Sequence, residues 1–296
     1  MTSPLVSIIC ICFNHENFVR EAINSVLKQT YKNIELIVVN NGSLDDSEKY
    51  ILETIENHPK IKYLKIEKVI SNTKAFNLAF KKTSGSYLID LSADDCLLED
   101  CVEKQIDFFL KQSQNVGLIF GNAYHINEKG IRIKPFFEVD QNQKVLDKAL
   151  FNTDYIRIVG SGLVMCSVSS MYTRKHLELL NGYNEELYFE DLDYWLRLLR
   201  KFEIKFLDDF LVEKRFLENS LGNQFHKKNT FSKKINWSLR KIYNESLKRN
   251  SNKLEHKALL KRIHYSMEYS FKNQNWIELL KFSYLELKCR FYILFT

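Results

Sequence analysis

Four short, strongly apolar runs occupy the first third of the chain: VSIICICF (6–13), IELIVV (34–39), IKYLKI (61–66) and SYLIDL (86–91). The segments between them carry helical periodicity. In 16–29 the stripe is Phe18, Val19, Ala22, Ile23, Val26 and Leu27, and 46–56 and 74–82 also read as helices. Runs this short and this rich in β-branched residues suit buried strands. The order βαβαβαβ then demands right-handed crossovers and a largely parallel, doubly wound α/β sheet. Ligands of such sheets bind beyond the carboxyl ends of the strands. Here those ends are Phe13-Asn14, the Asn40-Asn41-Gly42-Ser43 turn with Asp45, Asn72, and Ser92-Ala93-Asp94-Asp95.

The last of these poses a question of charge. Adjacent carboxylates at the mouth of a buried strand repel unless a metal ion, a cationic ligand or a helix N-terminus meets them. An aspartate before an apolar helical stretch also serves as an ordinary helix cap.

Beyond residue 95 the pattern predicts a helix over 99–112, a strand VGLIFG (116–121) and a hairpin around 127–130. Residues 138–165 are polar and mixed, with no predicted order. CSVSSMYT (166–173) alternates like a strand. A loop at 181–190 enters a helix whose Trp195, Leu198 and Leu199 face inward, and IKFL (204–207) and FLVEKRF (210–216) read as two strands. From about 230 the chain is helical, with stripes of Ile235, Leu239, Ile242, then Leu259, Ile263, Met267, then Leu280, Tyr284, Leu287, Phe291, expected to bury against protein.

Charge divides the chain at the same place. Residues 1–213 carry 25 Lys/Arg against 31 Asp/Glu, and residues 214–296 carry 18 against 6. The basic end suits an anionic membrane face, a dimer contact or a helical cover on the main domain, and no nucleic-acid motif accompanies the charge. Six cysteines without CxxC spacing read as reduced, buried thiols. No window is long and apolar enough for a bilayer, and 5–13 lacks the flanks of a signal peptide.

Four segments, taken in order, resemble the family-2 glycosyltransferases, nucleotide-sugar-dependent enzymes of GT-A fold. They are 6–47, 72–85, LSADD (91–95) at the place of the family's DxD motif, and NGYNEELYFEDLDYWLR (181–197), which is similar to the acceptor-side Glu-Asp motif. The resemblance implies a GT-A-type, Rossmann-like, mainly parallel twisted sheet flanked by helices, with a C-terminal helical appendage. It implies a catalytic domain over 1–217, with a nucleotide-sugar half to about 100 and an acceptor half over 101–217, and a basic helical subdomain over 218–296.

The chemistry implied is inverting transfer from a nucleotide-diphosphate sugar, a UDP-sugar by default, to a saccharide or lipid-linked acceptor in surface polysaccharide synthesis. The setting is the cytoplasm or the inner face of the cell membrane. A divalent ion, Mn²⁺ or Mg²⁺, neutralises the leaving diphosphate in such enzymes. On this resemblance Asp94 is the metal ligand, and Ser92, Ala93 and Asp95 line the donor. Asn41 meets the nucleobase, and Phe13, Asn14, Glu16 and Asn72 form the rim. Asp191 is the base, oriented by Glu190, with Trp195 and Arg197 toward the acceptor.

Departures from the family pattern matter. Ser92 replaces the first Asp of DxD, and Asn41 a common Asp. Leu217 stands where a histidine often helps the metal, leaving His226, or Lys227 and Lys228, as substitutes. Two other functions compete with active transfer: a catalytically degenerate, glycosyltransferase-like binding protein, and a nucleotidyltransferase. The second would need a Gly-rich phosphate loop after the first strand, and Phe13-Asn14-His15-Glu16 is not one.

Overall fold

The structure, a computed structural model, describes residues 3–161, 165–217 and 229–295. Strand β1 (Val6–Cys12) lies between β2 (Ile34–Asn41) and β4 (Tyr87–Ser92), with β3 (Lys62–Ile66) outside β2, all parallel. Beyond β4 the sheet turns mixed. Strand β8 (Met171–Thr173) runs antiparallel to β4 and to β6 (Val116–Ile126). Strand β9 (Glu203–Arg215) is parallel to β6 and carries the short β5 (Cys96–Leu97) on its far edge, while β7 (Arg132–Pro135) forms the expected hairpin on β6.

Alternation along β1 divides the core. Ile8, Cys10 and Cys12 pack with α1 (Val19–Leu27) and α4 (Cys101–Phe109), whereas Ile9 and Ile11 pack with α3 (Asn72–Phe80) on the opposite face. All six cysteines are free thiols. Helix α2 (Ser47–Ile55) covers β2 through Ile51.

Two strand expectations are corrected. In 166–173 only the last three residues form a strand. The Ser169 hydroxyl accepts from the Gly121 N–H (3.0 Å) and lies 2.8 Å from the carbonyls of Gly121 and Cys166, so its backbone turns rather than extends. Residues 204–207 and 210–216 are one strand, β9. Asp208 accepts the Val145 N–H (3.0 Å), and the Asp208-Asp209 step is absorbed as a bulge against β6.

The basic end folds as α8 (Thr230–Arg249), α9 (Lys253–Lys272) and α10 (Trp276–Phe295), preceded in the chain by α5 (Tyr155–Ser161), α6 (Arg174–Leu179) and α7 (Asp191–Leu198). Asn229 and Asn252 cap α8 and α9 with side-chain oxygens. Ile235, Leu239, Ile242, Leu259 and Ile263 join the same core as α3 and α7, so these helices cover the sheet.

The α10 stripe departs from expectation. Leu280, Tyr284, Leu287 and Phe291 are exposed, and Phe282, Leu285 and Cys289 face inward. Helix α10 is apolar on two opposite faces, and helical period alone does not say which face meets the core. Among the described residues no helix is long and apolar enough to cross a membrane.

Candidate active site

The carboxyl ends of β1 and β2 are fastened to each other. Asn14, at φ 55°, donates its N–H to Ser43 Oγ (3.1 Å) and accepts from the Leu44 N–H (2.8 Å); Glu16 accepts from the Asp46 N–H (2.8 Å). These two residues brace the rim without lining the cavity beside it, while Phe13 stands at its mouth. Asn41 is fully buried. Its amide donates to the Ile70 carbonyl (3.0 Å) and accepts the Ile70 N–H (3.1 Å), so it holds the segment leading into α3 and does not line the cavity. Gly42 makes that approach possible: its φ is +71°, and a Cβ there would lie 2.5 Å from the Val69 nitrogen. Asn72, the first residue of α3, does line the cavity.

The paired carboxylates at the end of β4 part company. Ala93 is a buried spacer tied by its N–H to the Ile11 carbonyl (3.0 Å). Asp94 turns to the cavity, accepts the Ser92 hydroxyl, and lies 4.0 Å from His15 Nδ1. That His15 nitrogen is buried with no hydrogen-bond partner among the described residues.

Asp95 is buried and accepts the Arg215 N–H (2.7 Å). Burial, then the charge of Asp94, pushes its carboxyl up to about 8, against the pull of Lys214 and Arg215. The two neighbours therefore coexist because one is largely uncharged at neutral pH. Arg215 locks this corner. It donates to the carbonyls of Asp94 (2.9 Å), Asn127 (3.0 Å) and Glu128 (2.9 Å) and to the Glu21 carboxylate (2.5 Å), with its guanidinium over Phe18.

Across the cavity the N-terminus of α7 presents Glu190 and Asp191, and Asp191 accepts its own helix's Leu192 N–H (2.6 Å). Burial raises both, and the charge of Asp191 adds to the rise at Glu190, which goes well above the ordinary carboxylate range. Lys214 and Arg262 pull Asp191 back. Negative charge is thus disfavoured more strongly at Glu190 than at Asp191, which keeps two cations acting on it. Together Asp94 and Asp191, 97 positions apart in sequence, face one cavity of about 600 Å³.

Two acceptor-side expectations are corrected. Trp195 is buried in the core, and Arg197 pairs with Asp193 (2.7 Å) and donates to the carbonyls of Leu180 (2.6 Å) and Gly182 (2.9 Å). Neither lines the cavity, because α7 enters the site by its first turn only. His226, Lys227 and Lys228 lie outside the described residues.

Among the cavity residues that escaped the sequence reading, four bear titratable or charged groups close to the carboxylates: His15, Asp90, Lys214 and Arg262. Asp90 shares a strand face with Ser92, a signal that period-two alternation carries, and burial pushes its carboxyl up to about 7. Burial disfavours the charge on Lys214, but Cys166, Asp95, Asp191 and Asp94 together hold its ammonium above the usual range. No carboxylate comes within ion-pair distance of it among the described residues, which leaves its charge available to a ligand. Arg262 gave no local sign, since nothing in α9 says that it returns over the sheet's carboxyl edge.

The sequence model described as "Glycosyl transferase family 2" matches residues 7–177. An uncharacterized glycosyltransferase of Rickettsia felis is 32% identical over 214 residues, covering 72% of this chain, and this chain spans only 34% of that relative. The UDP-Glc:alpha-D-GlcNAc-diphosphoundecaprenol beta-1,3-glucosyltransferase WfgD of Escherichia coli is 37% identical over 131 residues, 44% of this chain and 50% of its own. Among solved structures, S. aureus TarS 1-349 in complex with UDP-GlcNAc superposes with a TM-score of 0.68 at 18% identity, over 94% of this chain and 79% of its own. That likeness is one of fold, the GT-A fold that the strand order and flanking helices display here. With the family match covering more than half of the chain, this protein belongs to glycosyl transferase family 2.

Proposed function

We propose that this chain transfers a sugar from a nucleoside-diphosphate sugar, a UDP-sugar first, to a hydroxyl of a saccharide or lipid-linked acceptor, with inversion at the anomeric carbon. The observation that carries the reading is the cavity with Asp94 on one wall and Asp191 on the other. The acceptor oxygen forms a bond to the anomeric carbon as the bond from that carbon to the diphosphate breaks. The hydroxyl proton passes to Asp191, and the nucleoside diphosphate leaves with the bonding pair. Glu190 lies beside Asp191 on the same cavity wall, where burial and the charge of Asp191 disfavour a second negative charge. Residues 1–217 form the catalytic unit in this reading, and the helices over 230–295 complete its acceptor side. The name of WfgD, a glucosyltransferase acting on a diphosphoundecaprenol-linked sugar, supports a lipid-linked acceptor of the kind used in surface polysaccharide synthesis.

A divalent ion fits the donor wall. Asp94 offers a cavity-facing carboxylate, and the unpartnered Nδ1 of His15 beside it is the acceptor such an ion would satisfy. Among the described residues no group of three or more ligating side chains gathers, so the ion would share its shell with the diphosphate and water. When bound it neutralises the leaving phosphates, and Lys214 supplies a fixed positive charge to the same end. Titration calorimetry tests this wall. UDP should bind with Mn²⁺, weaken at least tenfold in EDTA, and lose that metal dependence in Asp94→Asn. Binding indifferent to both changes would assign the diphosphate to Lys214 and neighbouring cations instead.

The exposed face of α10 supports a membrane setting. Ile277, Leu280, Tyr284, Leu287, Phe291, Leu294 and Phe295 form one outward stripe, with Lys281 and Lys288 along its edge. A second copy would bring the same excess of positive charge to a twofold contact, whereas an anionic bilayer complements it. The protein should float with phosphatidylglycerol vesicles and stay behind with phosphatidylcholine ones, and Leu280→Glu with Leu287→Glu should abolish flotation. A stable dimer lost in the same double variant, without lipid binding, would give this face to a second copy.

A further inference from the structure

Among the described residues Arg215 and Arg197 are saturated by protein groups, and Arg240 is ion-paired with Glu278. Arg215 spends its guanidinium on three carbonyls and a carboxylate, and Arg197 on two carbonyls and a carboxylate. Arg262 differs. It is 9% exposed, its Nε donates to the Tyr243 hydroxyl (3.2 Å), and its Nη1 is buried with no partner among the described residues. The Tyr243 hydroxyl is in turn paired with Ser266 Oγ (3.0 Å), which fixes the guanidinium's orientation. Arg262 lines the active-site cavity and acts electrostatically on Asp191. A guanidinium N–H held this far from water without an acceptor is costly unless a ligand meets it. Protein groups saturate Arg215, so a bound ligand is the natural partner for Arg262.

We infer that Arg262, with Tyr243 orienting it, is the anchor of an oxyanion subsite on the acceptor side, and that the natural acceptor carries a phosphate ester or a carboxylate next to the hydroxyl that attacks. This rests on the transfer reading given above. Proximity to Asp191 assigns the subsite to the acceptor. Arg262 comes from α9, lines the same cavity and acts electrostatically on Asp191, while Ser92 and Asp94 stand at the end of β4. Guanidinium matches either oxyanion, because both present two oxygens to its paired N–H groups. Asn236 and Ser270 also line this part of the cavity, polar and neutral as sugar hydroxyls require. The helical segment thus has a role in specificity, reading the charge of the acceptor.

The test uses the full chain and three probes on one glucose scaffold, two carrying an anionic group and one neutral: glucose 1-phosphate, methyl glucosiduronic acid (free carboxylate) and methyl glucoside. Each is titrated with and without saturating UDP and Mn²⁺. The expected result is that at least one anionic probe binds about tenfold or more tighter than methyl glucoside, in the range of a charged hydrogen bond. Which anion wins separates a phosphorylated acceptor from an acidic sugar. Arg262→Gln should erase that preference, keep UDP binding, and leave the melting temperature unchanged or higher, because it removes a buried N–H group that no described protein group meets. Arg262→Lys should recover part of the preference. A wild type that binds all three probes alike, or none, overturns the inference, as does a preference that survives in Arg262→Gln. A variant that merely loses stability along with UDP binding overturns it too, since that is the signature of a structural arginine. Failure of the wild type to bind UDP while the charge preference holds would sink the donor reading and leave this subsite standing.

Discussion

Asp191→Asn should cut transfer by about 10²–10⁴-fold, the usual contribution of a positioned base, while UDP binding stays within about twofold of wild type. The asparagine keeps the side-chain oxygen that accepts the Leu192 N–H, so α7 begins as before. It cannot take a proton. The pH profile adds a second mark. Burial raises Asp191, and the base works only when deprotonated, so kcat/KM should climb with pH through a midpoint above the ordinary aspartate range. Removing Lys214 or Arg262, both of which hold Asp191 down, should move that midpoint further up. Normal turnover by the Asp191 variant would take the base role away from this residue.

Arg215→Met should cost about 3–5 kcal/mol of stability, because a nearly inaccessible guanidinium with four oxygen partners is replaced by a side chain that meets none of them. Thermal unfolding should fall by on the order of 10 °C for a chain of this size. The loss has a functional edge. Arg215 spans the ends of β4, β6 and β9, so the variant should also weaken UDP binding by loosening Asp94, even below its melting temperature. An unchanged melting curve would mean that the corner is held by something other than these bonds. Asp95 contributes in the opposite sense. Its pKa is raised in the folded state to about 8, so the stability tied to it is present at about pH 4 and lost as pH rises through 8.

The parallel half of the sheet was legible because each strand was short and mostly apolar and each crossover was periodic. Those signals are local, and topology rules do the rest. The second half was harder for a physical reason. Ser169 in the 166–173 segment turns the backbone through its hydroxyl, and β9 carries two aspartates across a bulge, so alternation misstates both. The candidate site divides the same way. Asp94, Asp95, Glu190 and Asp191 stand where strand and helix ends place them. The resemblance set Trp195 and Arg197 toward the acceptor, whereas helical spacing already turned Trp195 inward, and both point into protein. Asn41 sits at the strand end expected of a ligand contact, yet its amide is spent on Ile70, a pairing across 29 residues that no local pattern encodes. Lys214 and Arg262 reach the cavity only through tertiary folding. They supply the positive charge that the carboxylates there require.

The most direct test of the central claim is to incubate the wild-type protein with UDP-sugars and a panel of saccharide acceptors, and to read the product by mass and by the proton coupling at its new anomeric centre. An active inverting transferase yields, from an α-linked donor, a β-linked product together with one equivalent of UDP. Tight, metal-dependent UDP binding with no product from any donor would contradict the account and make the chain a binding protein on a glycosyltransferase fold. A product that keeps the α configuration would leave a transferase but remove the single displacement assigned to Asp191.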